Sequence, residues 1–142
     1  MRNPAERTSF HLRFGWWSLL VFLSIGVALE AMHGFKVGWY LDVDNEVRRL
    51  MFTLAHAHGA LLGLVHVAFA ATLHATGAGG WTTLFASRGL VIASVLLPLG
   101  FFAGGFGIAG GDPGVAVVLV PLGAVALFGA VALTAWSIPR RR

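Results

Sequence analysis

The sequence predicts an all-α integral membrane protein, a four-helix antiparallel bundle forming a single transmembrane domain over residues 1–142. Three observations lead there. The chain is 57% hydrophobic and 11% charged, with a mean hydropathy of +0.79, more apolar surface than a soluble domain of this size can hide. Its apolar residues fall into four runs, each long enough at about 1.5 Å per residue to cross a hydrocarbon core of about 30 Å. The segments between them are short, so consecutive helices must return antiparallel.

The first run, about 14–34, follows Arg2, Arg7 and Arg13. It is longer than the roughly 7–15 apolar residues of a signal peptide and has no clean small-x-small cleavage site, so a retained anchor is expected. The loop from Phe35 to Arg49 carries Trp39 and Tyr40 as interfacial aromatics, then Asp42, Asp44, Asn45 and Glu46. Asp44 or Asn45 would cap the second helix, about 50–74, with Glu46 in its first turn. Gly77, Gly79 and Gly80 lead to Trp81 and the third helix, about 89–109. The turn Gly110-Gly111-Asp112-Pro113-Gly114 then leads to the fourth, about 115–138. Pro98 and Pro121 fall inside the last two spans, where a missing N–H is expected to kink the helix and free carbonyls.

Lipid gives helices no hydrophobic reason to associate, so small residues that let backbones approach must supply the contact. Gly59 and Gly63 on the second helix, Gly100 and Gly104 on the third and Gly123 on the fourth are the candidates. They read as a seam within the chain, with a homodimer seam as the rival. The second half does not repeat the polar residues of the first, so there is no inverted-repeat transporter symmetry.

Charge sets orientation and excludes one class of partner. The net charge of +4 comes from Lys and Arg at the chain ends and in loops, not from a basic stripe, so no nucleic-acid partner is expected. The face holding both termini and the second loop has seven Lys or Arg against three on the other. Both termini are therefore expected in the cytoplasm, in a multi-pass protein of the inner (plasma) membrane. Cys is absent, which excludes a disulfide framework, a thiolate metal site and a thiol nucleophile.

Ionisable residues in hydrocarbon are costly and so mark where any chemistry lies. Glu30 and His33 share one helical face, and His56 and His58 lie roughly 10–13 Å inward from Arg48 and Arg49 on the next helix. A two-residue step turns about 200°, so His56 and His58 point to opposite sides. His56 falls with Gly59, Gly63 and His66 on one stripe. Three readings follow. The cluster is a satisfied network fastening two helices; or Glu30, His33, His56 and His58 ligate a metal, or His33 with His56 or a partner's His66 ligates haem; or the groups form a path for protons or a small solute. His66 is expected to donate to a neighbouring helix's freed carbonyl, and His11 and His74 to be solvated near the interface. No nucleophile has a base and an orienter at sensible spacing, and no phosphate loop is present.

These residues carry a family resemblance. Glu30-Ala31-Met32-His33-Gly34-Phe35-Lys36 is similar to the Gly-Ala-His-Gly-Leu-Lys motif of the small membrane-protein family called domain of unknown function, family four-two-three. His56-Ala57-His58-Gly59-Ala60-Leu61-Leu62 resembles its His-Ser/Ala-Leu-Ala-Leu-Leu stretch, and Gly111-Asp112-Pro113 with Val120-Pro121-Leu122-Gly123 its Gly-Asp-Pro…Ala-Pro-Xaa-Gly-Gly arrangement. The match covers about residues 20–137, with departures: Ala124 replaces a Gly, Gly129 and Trp136 stand apart where the family has Gly-Trp, and Glu30 is extra. The resemblance implies a four-helix membrane fold without an established activity. The expected role is therefore an accessory or assembly subunit without a catalytic site, partnered by lipid and by another membrane protein or a second copy. A haem- or metal-binding redox or sensor module, or a minimal proton or solute path, is the alternative.

Overall fold

The computed structural model describes residues 4–42 and 46–139. Among them the chain forms four long helices and no strand: α1 (Pro4–Gly34), α2 (Glu46–Thr76), α3 (Gly80–Phe106) and, after a 3-10 turn (Val115–Val118), α4 (Leu119–Ser137). All four spans are long and apolar enough to cross a membrane. The Asp44 or Asn45 cap, and Arg2, Arg140, Arg141 and Arg142 of the charge count, lie outside the described residues.

Two helices begin well before their apolar runs. α1 starts at Pro4, ten residues earlier than hydropathy alone suggests, as Pro favours a first turn where its missing N–H costs nothing. It then runs through Glu6, Arg7, Thr8 and His11. α3 starts at Gly80 and takes in Thr83, Ser87 and Arg88. Hydropathy marks where a helix crosses lipid, and here both helices extend past that limit because their polar turns face each other. Arg7 donates from Nη1 to Thr83 Oγ1 at 2.8 Å, and Thr83 donates on to the Gly80 carbonyl at 3.0 Å.

The helix backbones pack in chain order, α1 on α2, α2 on α3 and α3 on α4, and α1 also reaches α3 through the Arg7 and His11 side chains. The core follows that order, with Ala55, Leu62 and Phe69 of α2 against Ala86, Leu90 and Leu97 of α3, and Ala130 of α4 behind them. Glycine sets both tight seams. A Cβ on Gly15 would stand 2.7 Å from the Gly63 carbonyl oxygen, and one on Gly63 would stand 3.1 Å from the Gly15 oxygen, so the α1 and α2 backbones cross there. Gly59 lies under the Phe22 ring. At the other seam a Cβ on Gly100 would meet Val120 at 2.9 Å, and one on Gly123 would meet Leu97 at 2.8 Å. Gly104 is looser, with 3.6 Å to Val117. Gly15, the α1 half of the closest crossing, was not among the sequence candidates because α1 offers no second Gly at the three- or four-residue spacing that would flag it.

The loops explain themselves locally. α1 ends in a paired C-terminal turn, with Lys36 N donating to His33 O and Val37 N to Met32 O, and Lys36 in the left-handed region at φ 52°. Tyr40, expected at the interface, is instead buried with Leu29 and Phe52. Gly110 and Gly111, both at positive φ, make the two-residue turn between paired Ala109 and Asp112, the geometry of a type I′ turn. Pro98 is buried inside α3, as expected. Pro121 lies within the fourth span, as expected, but in the first turn of α4, which begins at Leu119 and needs no N–H there.

Candidate functional site: a buried imidazole pair

Three polar residues among those described have no exposed surface, His11, His66 and Thr83, and the first two face each other. Their Nδ1 atoms are 2.6 Å apart. The ring planes are 24° apart and the centroids 4.8 Å, close to the separation of two imidazoles meeting nose to nose through Nδ1. The contact is thus an in-plane hydrogen bond and not a stack. The outer nitrogens are held as well: His11 Nε2 lies 2.7 Å from Ser87 Oγ, and His66 Nε2 lies 2.9 Å from Ser94 Oγ. Phe10 and Phe69 meet the His11 ring and Phe14 the His66 ring, which keeps water out.

The serines assign the protons. Ser94 donates its single hydroxyl proton to the Leu90 carbonyl at 2.9 Å, so it must accept from His66, whose Nε2 carries the hydrogen. A neutral imidazole has one N–H, which makes His66 Nδ1 an acceptor and His11 Nδ1 the donor to it. His11 Nε2 then accepts from Ser87. One directed chain, Ser87 to His11 to His66 to Ser94 to the Leu90 carbonyl, joins α1, α2 and α3. With the Arg7–Thr83 bond it fastens α1 across both neighbours.

His11 is therefore not solvated as the sequence suggested. It sits inside because α1 continues past it to Pro4. His66 faces the glycine seam as expected, and beside the Leu90 carbonyl of α3 it meets a hydroxyl and a second imidazole. Nothing in the local pattern marks Thr83, Ser87 and Ser94, since lone hydroxyls in an apolar helix usually bond their own backbone.

The other candidates occupy separate places. His56 turns to α1, its Nδ1 2.6 Å from the Phe22 carbonyl oxygen and its ring over Gly26. His58 turns to α3, its Nδ1 2.8 Å from its own helix's Leu54 oxygen and its ring 4.8 Å from that of Phe101. Glu30 and His33 are exposed. With His56 they line an open cleft of about 880 Å³ between α1 and α2, and His58 is not part of it. Of the haem candidates, His33 and His56 line the same cleft, whereas this chain's own His66 pairs with His11, twenty-two residues from His33 along α1, or about 33 Å. Among the described residues no three of His, Asp or Glu converge as a metal site would require, so Glu30, His33, His56 and His58 are not gathered on one ion. The physical reason is the helical rotation between positions 56 and 58.

Compared with protein-family models, with curated proteins and with solved structures, the chain matches none of them.

Proposed function

We propose that this chain is an accessory or assembly subunit, a non-catalytic membrane bundle that packs against a larger membrane complex. The observation that carries the reading is how its interior polar groups are used. The buried imidazoles face each other and the serines, and their remaining nitrogens are engaged within the chain. A haem ligand needs an imidazole nitrogen aimed into a gap. A proton path needs polar groups continuing to the far end, whereas in the about 15 Å between His66 and His56 Phe22 lies on Gly59, Gly15 lies on Gly63, and Ser18 donates to the Gly59 carbonyl. Meanwhile the edge helices turn apolar side chains outward. α4, the least buried span, exposes Leu122, Val125, Phe128, Val131 and Trp136, and α1 exposes Trp16, Trp17, Leu20 and Val27. Kinship to the four-helix family of unknown function belongs to the same proposal and fits a role without chemistry of its own.

A photo-crosslinking side chain at Phe128 or Val125 is expected to give one protein adduct of discrete mass in the native membrane, and none from buried Ala130. Lipid adducts alone from both outward positions would sink the proposal. An adduct of twice the chain's mass would replace the larger complex with a second copy.

The orientation belongs to this proposal as well: both termini in the cytoplasm, in the plasma membrane. The chain has no Cys, so single cysteines report cleanly. An impermeant maleimide on intact cells is expected to label a cysteine at Lys36 and to miss ones at Ala5 and Pro139. Labelling of Ala5 and Pro139 but not Lys36 reverses the orientation, and disagreement between Ala5 and Pro139 refutes an even number of crossings.

A further inference from the structure

We propose that the cleft between α1 and α2, at the end of the bundle opposite the termini, binds a phospholipid with a primary-ammonium head group. The inference rests on the membrane-spanning fold and is independent of the accessory role. Its lining is ordered along the bundle. Glu30 and His33, in the last turns of α1, face Glu46 and Arg49, in the first turn of α2. Deeper come Val27 and Leu50, then Leu23, about 15 Å from His33 along the helix. Charged rim and apolar depth repeat the order of a phospholipid, head at the interface and acyl chain below. At its floor the His56 ring takes the space that a side chain on Gly26 would fill.

Charge selects the head group. The rim holds two carboxylates, Glu30 and Glu46, and one guanidinium, Arg49. Arg49 is 3.5 Å from Glu46 through Nη2, and Glu30 makes no ion pair among the described residues. A guanidinium has five N–H donors, so Arg49 can hold a phosphate while keeping Glu46. The carboxylate excess then calls for a cation beside that phosphate. An ethanolamine ammonium supplies three N–H donors for Glu30 and its neighbours. A choline head has the charge without a donor, and an anionic head meets the carboxylates with the wrong sign.

The test offers the purified, delipidated full chain equal amounts of phosphatidylethanolamine and phosphatidylcholine with identical acyl chains, and reads retention by native mass spectrometry. Ethanolamine lipid is expected to be retained about tenfold over choline lipid, the scale of one hydrogen bond to a charged group. Glu30→Gln is expected to bring the ratio near one, and Arg49→Gln to weaken both lipids; lipid-free melting curves check that each variant is folded. Equal retention by the wild-type chain, preference for phosphatidylglycerol, or an unchanged ratio in folded Glu30→Gln overturns the proposal. So does displacement of the lipid by equimolar soluble phosphoethanolamine, which would make the site one for the free head group.

Discussion

Replacing His66 with alanine is expected to destabilise the bundle more than any other single polar substitution, lowering its melting temperature in detergent by about ten degrees. A typical polar contact between membrane helices is worth only about 0.6 kcal/mol, because the separated helices find other partners. His66 exceeds that figure for two reasons. Its removal leaves the His11 Nδ1–H and the Ser94 hydroxyl oxygen without their partner in the buried core, and an unsatisfied buried group costs about 1–3 kcal/mol. It also leaves a ring-sized hole beside Phe14, in the range where large-to-small substitutions cost a further ~2 kcal/mol or more. For a chain of this length the total, on the order of 3–5 kcal/mol, corresponds to the stated shift. The proton assignment adds a ranking. Ser94→Ala orphans a buried N–H donor, whereas Ser87→Ala leaves only an unpaired acceptor beside a half-buried position, so Ser94→Ala should be the more damaging of the two. Equal effects would refute the assigned tautomers, and a His66→Ala shift below about two degrees would refute the chain's part in holding the helices.

Gly15→Leu is expected to have an effect of similar size through a different cause. A side chain there meets the Gly63 carbonyl oxygen at 2.7 Å and Val67 at 2.8 Å, and a backbone oxygen cannot rotate away. The helices must separate, at a cost at or beyond the usual 1–3 kcal/mol of overpacking. Separation at Gly15 also stretches the His11–His66 bond one turn away, so Gly15→Leu and His66→Ala should combine to less than their sum. Gly59→Leu meets the Phe22 ring, which is able to shift, and should cost less. Gly104→Ala, with 3.6 Å to its nearest neighbour, should be nearly silent. Thermal melting with size-exclusion readout checks all four: additive effects of the first two, or a stable Gly15→Leu monomer, would separate the glycine crossing from the imidazole pair.

The comparison of sequence with structure turns on which solvent decides each residue. Lipid imposes a span length, so the four crossings were legible from apolar runs alone. The three-four spacing of His56, Gly59, Gly63 and His66 also pointed correctly to one packed stripe, and those residues do face α1. Hydropathy failed at Arg7 and His11, which look like interfacial residues until their partners are known. Those partners, Thr83 and Ser87, stand 76 residues away, and no local pattern connects them. Glu30, His33 and His56 line one open cleft at the outer end of α1 and α2, and among the described residues no hydrogen bond joins them across it. What no spacing revealed is that the His56 nitrogen is taken by a backbone oxygen, leaving an open cleft between the helices rather than a closed cluster.

The 76 residues between His11 and Ser87 also have a consequence in time. A ribosome adding roughly 5–20 residues per second needs about 4–15 s to make that stretch. Throughout that interval nascent α1 carries Arg7 and His11 without the α3 hydroxyls they end up holding. Those bonds form only once α3 has been made, so the first helix translated is among the last to gain its full set of partners.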